Sequence, residues 1–307
     1  LNDKTIQSIV LQRIAAFSSR YRTEIIPTAR SYNLAKKEGA LTEADIWQRI
    51  AKDWWLSLVF FFDFCFYQGR GDWLSCDYEN ATIKALTELL GEQNYKLERL
   101  KQFRREGWLE PTNWEIPNNP IRQALDKKYR WDPEERPPNI EGHLRKNMLT
   151  ETGKTRDREM VIAAMRFISE LEKEDNYSIV MYAIRLLKNM QIKCLAKNID
   201  SIRGVGEKVT SLFIHNIVTF YSPIPEDSLN KSELKWIFPV DTWVDQISKR
   251  LRFEGKDQFE RRDNLLVFCL ENKISPIALN EGLWYIGTNS IRILLDFLTR
   301  EDVPNLS

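Results

Sequence analysis

The sequence predicts an all-α fold of two helical lobes, and three observations carry that reading. Apolar residues recur at three- and four-residue intervals along most of the chain, no stretch alternates with the period of a strand, and prolines gather in one internal region. A chain of 307 residues with 43% hydrophobic and 11% aromatic content has the apolar material for one large core or two joined ones. Forty-five basic residues stand against 44 acidic ones, a formal charge of +1, which excludes a strong overall positive field. Any polyanionic partner must then be held by local features. Cys65, Cys76, Cys194 and Cys269 are scattered, without a C-x-x-C pair or a ferredoxin-like spacing, and read as core or reduced thiols rather than as ligands of zinc or an iron-sulfur cluster. The most apolar run, residues 58–62, is broken by Asp63, too short for a bilayer and misplaced for a signal peptide. The expectation is a soluble intracellular protein with no membrane partner, in the cytoplasm or nucleoid, or in the nucleus of a eukaryote.

Along the chain, residues 42–68 read as one helix, and its later part (Trp54, Trp55, Phe60, Phe61, Phe62, Phe64, Phe66) is aromatic enough to be buried on most sides, as a central core helix would be. Six of the twelve prolines (Pro111, Pro117, Pro120, Pro133, Pro137, Pro138) then accumulate, which predicts a long connection at about 108–140. Helical spacing resumes near 155–173 (Ile162, Met165, Ile168, Leu171), 177–190, 192–199, 207–221, 241–252, 257–271, 276–286 and 289–299. The expected division is an N-terminal region at 1–150 that includes the proline-rich connection, a lobe at 151–253, and C-terminal helices at 254–307 that pack back on the N-terminal lobe. The charged stretch at 254–262 reads as a solvated helix face.

The most informative segment joins two of these helices. Ile192, Leu195, Ala196 and Ile199 mark one face, Val209, Leu212, Phe213, Ile217 and Phe220 mark the next, and Arg203-Gly204-Val205-Gly206 lies between them. Glycine suits a tight turn because it adopts backbone angles that a Cβ resists, and because bare backbone can approach a phosphate closely. Amides of Gly204, Val205, Gly206 and the first turn of the next helix, with the helix dipole behind them, offer a grip on phosphate that needs no basic surface. Such a tripeptide alone equally describes a glycine-terminated helix followed by another. Downstream, Phe238-Pro239-Val240-Asp241-Thr242-Trp243-Val244 carries a proline that stops what precedes it and an aspartate able to cap a new helix.

Together, Gly204-Val205-Gly206-Glu207-Lys208 and Pro239-Val240-Asp241 resemble the helix-hairpin-helix DNA glycosylase superfamily, whose lysine-bearing members pair a Gly-Val-Gly-x-Lys hairpin with a Pro-Val-Asp helix start. The stretch Phe66-Tyr67-Gln68-Gly69-Arg70-Gly71 resembles most the archaeal-type 8-oxoguanine glycosylases, which lack an iron-sulfur cluster. Residues 279–287 resemble their C-terminal helix that folds over the base pocket. The chain departs from the family in having Trp243 where histidine is frequent, and in a longer spacing from Lys208 to Asp241, with residues 222–236 as the insertion. The resemblance covers residues 45–90 weakly and 150–300 better.

What the resemblance implies is a cleft between two lobes with Lys208 and Asp241 as catalytic residues, Gly204, Val205 and Gly206 on the DNA backbone, and Gln68, Trp73, Trp284 and Tyr285 around an extruded base. The implied partner is double-stranded DNA with a damaged base, bound by a monomer. No organic cofactor is expected, only a Na+ or K+ ion held by carbonyls of the hairpin. The chemistry fits the residue types: cleaving a glycosidic bond builds positive charge on the sugar, which a carboxylate offsets while an amine attacks the anomeric carbon. Amine attack gives a Schiff base, hence a lyase as well as a glycosylase. Excision of another or an undamaged base, as in defence or restriction, stays open, as does a non-catalytic DNA-binding module. Each singled-out residue also has a plainer role: Lys208 an exposed lysine, Asp241 a helix cap, Gln68 a solvated amide, and Trp73, Trp284 and Tyr285 core aromatics. His143 and His215 form no metal set, and His215 reads as packed or capped.

Overall fold

The computed structural model describes residues 3–40, 42–66, 72–91, 96–129 and 151–298. Every regular element among them is helical. We number the principal helices α1 (Asp3–Ala15), α2 (Arg30–Lys37), α3 (Glu43–Lys52), α4 (Trp54–Cys65), α5 (Asp72–Leu90), α6 (Lys96–Arg105), α7 (Pro120–Lys128), α8 (Glu151–Glu170), α9 (Ile179–Lys188), α10 (Ile192–Asp200), α11 (Glu207–Tyr221), α12 (Lys231–Leu234), α13 (Thr242–Arg250), α14 (Gln258–Glu271) and α15 (Pro276–Leu298). None of the described helices is long and apolar enough to cross a membrane.

The helix expected over 42–68 is two helices. Asp53 leaves the helical region (φ −92°, ψ 118°), donates its N–H to Arg49 O at 2.9 Å to finish α3, and accepts Trp55 N and Leu56 N at 2.8 and 3.0 Å to start α4. One carboxylate thus ends the first helix and caps the second, because the first backbone amides of any helix lack partners inside it. Nor is the proline-rich stretch an irregular link throughout. Pro111 opens a 3-10 turn and Pro120 opens α7, where a missing N–H costs nothing, and Asn119 Oδ1 caps α7 through Ile121 N (2.9 Å) and Arg122 N (3.2 Å). Residues 130–150 lie outside the described residues.

The chain divides into two compact units, and not at the expected boundaries: residues 30–213 form one, while residues 1–29 and 214–307 form the other. The N-terminal segment belongs with the C-terminal helices because α1 packs along α15.

In the 30–213 unit every residue of α4 is buried, and α2, α3, α8 and α9 pack around it. Phe60 and Phe61 meet the Phe213 ring edge-on, with centroids 6.1 and 5.2 Å apart. The one acid inside this apolar helix, Asp63, accepts Arg30 N at 3.0 Å, Ser31 N at 3.2 Å and Ser31 Oγ, so it caps α2 from a neighbouring helix. Glu79 of α5, also buried, shares a hydrogen bond with Asp63, and burial raises both carboxyls above their usual range. Asp63 keeps its charge because three donors already face it, so the shared proton resides on Glu79.

In the other unit α1 crosses α15 at Gly282, where an added Cβ would come within 1.9 Å of Ile14 O. Residues 222–236 supply more than length: Glu226 Oε1 accepts Ile277 N at 3.0 Å and Oε2 accepts Ser275 Oγ at 2.6 Å, capping α15 from outside. The charged stretch at 254–262, which runs into the first turns of α14, is only partly solvated. Arg262 is buried with Nη1 on Lys235 O at 3.3 Å, and Arg261 Nε reaches Asp245 Oδ1 at 2.8 Å.

Two stability measurements check this packing. Gly282→Ala drives a methyl into a backbone carbonyl, so chemical denaturation should show a loss of about 2–4 kcal/mol, the upper range of overpacking. Glu79 has a folded pKa above its unfolded one, so its contribution is complete below about pH 4.5 and declines as pH rises. Glu79→Gln keeps a donor for Asp63 and cannot ionise. Its unfolding free energy should exceed that of the wild type by a margin that widens between pH 5 and pH 9.

Candidate active site

The turn at 201–206 is built from its own backbone. Ser201 N closes on Lys197 O at 3.1 Å and Val205 N on Ile202 O at 2.9 Å, while Thr210 N reaches back to Gly206 O at 2.9 Å as the first bond of α11. Gly204 holds φ +84°, which strains any residue with a Cβ, and passes so close to α8 that a Cβ would lie 3.0 Å from Met160 Cβ, so a side chain here is disfavoured on two counts. Val205 is buried and plugs the turn, whereas Gly206 is exposed with open space around its Cα. Arg203, largely exposed, pairs with Glu159 Oε2 at 2.9 Å. Lys208 sits half-buried in the first turn of α11, and its carbonyl accepts Ser211 Oγ at 3.1 Å.

Asp241 is 9% exposed and is the N-cap of α13, with extended backbone (φ −122°, ψ −175°) and Oδ1 accepting Val244 N at 2.8 Å. One carboxylate oxygen is thereby fixed in direction. The segment leading to it is buried at Ile237, Phe238 and Val240 and is held from two helices. His215 Nδ1, on α11, lies 2.9 Å from Ile237 O; since a carbonyl only accepts, Nδ1 carries the proton. Asn280 Nδ2, on α15, donates to Pro239 O at 3.0 Å. Trp243, in the first turn of α13, is exposed and lays its indole against α15 at Gly287.

Beneath His215, Glu281 is fully buried and accepts Arg22 Nε on both carboxylate oxygens (3.1 and 2.9 Å) and Thr219 Oγ1 at 2.9 Å. Burial raises the Glu281 carboxyl from its usual range, against the pull of Arg22 and Thr219. His215 Nε2 stands 3.9 Å from Glu281 Oε1, beyond hydrogen-bonding reach. Burial, reinforced by the nearby Arg22 charge and opposed by the Ile237 carbonyl, pushes the imidazole down to about 4.

The residues expected to act together fall as follows. Lys208 and the Gly204–Gly206 turn belong to the 30–213 unit, and Asp241 to the unit formed by the two chain ends. Trp284 and Tyr285 share α15. Trp284 is part-buried, but Tyr285 is fully buried, stacked 5.7 Å from Phe17, with its hydroxyl donated to Glu24 Oε2 at 2.9 Å. Tyr285 is therefore a packing residue and not a face offered to a base. Trp73 lies in the first turn of α5, its side chain outside the described residues, and Gln68 falls outside them altogether. Among the described residues no three His, Cys, Asp or Glu gather as a metal site. His215 is packed and hydrogen-bonded, as its sequence position suggested, while the part of Asn280 is not readable from sequence. The signal present was a polar residue on the otherwise apolar stripe of the 276–286 helix.

The neutral imidazole makes a testable contribution. Its folded pKa lies below its unfolded one, so unfolding takes up a proton between about pH 6.5 and 4, and stability falls as pH drops through that window, with Arg22 and Glu281 the charged groups facing it. Denaturant titrations from pH 7 to pH 4 should show the stability of the wild type falling relative to that of His215→Asn by about 3 kcal/mol, because asparagine does not titrate while every other group is common to both. No family model matches this chain, and neither does any curated protein or solved structure.

Proposed function

We propose that this protein is a bifunctional DNA glycosylase and abasic-site lyase that acts on double-stranded DNA containing an oxidised base, 8-oxoguanine being the first substrate to try. The observation that carries the proposal is a matched pair of helix starts. Lys208 follows a left-handed glycine in the first turn of α11, and Asp241 is a nearly buried carboxylate with one oxygen tied to its own helix, both within the motif segments that resemble the family.

In this reading helix-hairpin-helix contacts come from the exposed amides around Gly206 and the first turn of α11, which bind phosphate without a basic surface. The base leaves the duplex to reach the enzyme. The unprotonated Lys208 amine forms a bond to C1′ as the glycosidic C–N bond breaks, and the base departs with that electron pair and gains a proton. Asp241 offsets the positive charge on the sugar. The attached amine loses a proton and opens the sugar ring, the C1′–O4′ electron pair leaving with O4′, which is protonated; the iminium so formed activates the C2′ proton, whose removal expels the 3′ phosphate by β-elimination. Trp284 is the remaining described candidate for the base pocket. A Na+ or K+ ion belongs to the same proposal. Backbone carbonyls of the turn would hold it, including those that already accept one N–H, since a carbonyl oxygen keeps a second lone pair.

Borohydride trapping on abasic-site duplex, followed by single-turnover excision on a panel of single-lesion duplexes, tests the proposal. The wild type should give a covalent adduct and Lys208→Gln none. Asp241→Asn should slow excision by about 10²-fold or more with duplex affinity nearly unchanged, the signature of an interaction that matters mainly in the transition state. Duplex binding without any adduct or excision would instead identify a non-catalytic module. Excision of an undamaged base would move the substrate and keep the chemistry.

A further inference from the structure

Two carbonyls in the approach to Asp241 are held by side chains that have no part in the reaction proposed above. His215 of α11 donates from Nδ1 to Ile237 O at 2.9 Å, and Asn280 of α15 donates from Nδ2 to Pro239 O at 3.0 Å. Both are 1% exposed. Pro239, which bears the second of these carbonyls, is itself restricted in φ and disfavours helical backbone at Phe238 before it, so the segment has few ways to move once its carbonyls are tied. Its last residue is the cap whose Oδ1 binds Val244 N at 2.8 Å.

We infer that His215 and Asn280 are positioning residues for Asp241, fixing the backbone from Ile237 to Asp241 so that the carboxylate is presented in one orientation. The inference rests on the proposed role of Asp241 and adds the groups that set its geometry. His215 acts as a fixed neutral donor. Its Nδ1–H is committed to Ile237 O, and the bare Nε2 faces Glu281 beyond bonding distance, so protonation would place a second cation beside Arg22 in a buried space. The ring thus donates one bond in one direction across the neutral pH range. Glu281 in turn is anchored by Arg22 and Thr219, which fills the space under the ring without competing for its proton.

The distinction from mere packing lies in which substitutions are tolerated. Asparagine places an N–H where histidine Nδ1 stands, whereas leucine fills the space and leaves Ile237 O without its donor. His215→Leu, His215→Asn and Asn280→Leu are compared with the wild type by two readouts. The first is the single-turnover excision rate constant on the lesion duplex; misfolded protein lowers the amplitude of this phase and not its rate. His215→Leu and Asn280→Leu should be slower by about 10- to 100-fold, the range expected for a small misplacement of a reacting group, and His215→Asn should stay within about 3-fold of wild type. The second readout is amide hydrogen exchange over residues 237–245, which needs no activity. His215→Leu should accelerate it, at Val244 N–H above all, and His215→Asn should not.

A wild type without excision or adduct, but with the exchange pattern as stated, would refute the catalytic reading and leave the positioning of Asp241 standing. An active wild type whose rate and exchange are untouched by His215→Leu would overturn the inference. So would a His215→Asn variant that falls as far as His215→Leu.

Discussion

Helix starts are the recurring constraint in this protein, because each leaves backbone amides that need an oxygen and an all-helical chain has many of them. Local caps meet some: Thr42 with Asp45 at α3, Asp53 at α4, Asn119 at α7, Asp257 at α14. Others are met from a distance. Asp63 crosses from α4 to cap α2, and Glu226 reaches from the loop before α12 to cap α15. The distant caps knit elements together, since removing either acid strands amides in another helix. Asp241 belongs to the local group, with a difference: it is nearly buried, and the segment before it is tied on both sides.

The buried polar groups divide by how their charge is treated. Asp63, inside the apolar helix α4, and Glu79 of α5 keep one proton between them, which avoids two adjacent anions. Glu281 retains partners in Arg22 and Thr219, and His215 above it stays uncharged. In both units the polar cluster sits beside an aromatic or aliphatic core and fixes the direction of elements that apolar contact alone would leave free to slide.

Much of the helical pattern was legible in the sequence because helix periodicity is a local property. The span of α11 follows from Val209, Leu212, Phe213, Ile217 and Phe220, and the capping role of Asp241 from the proline two residues earlier. What was not legible depends on partners distant in sequence. Asp53 falls inside a continuous helical pattern, and only its side chain's reach to Trp55 N and Leu56 N makes it the cap of a second helix. Tyr285 looked like a pocket aromatic, yet Phe17 and Glu24, some 260 positions away, claim its ring and hydroxyl. The grouping of residues 1–29 with the C-terminal helices rests on the same kind of distant contact, that of α1 along α15.

That arrangement has a consequence for how the polypeptide matures on the ribosome. Translation delivers residues 1–29 well before the helices against which they pack, which follow only after the whole 30–213 unit has emerged. The inner unit can complete its core around α4 while α1 waits without its apolar cover, exposing Leu11 and Ile14 until α15 arrives. Nascent chains stalled before residue 276 therefore carry α1 with Leu11 and Ile14 uncovered, apolar surface of the kind that holding chaperones capture.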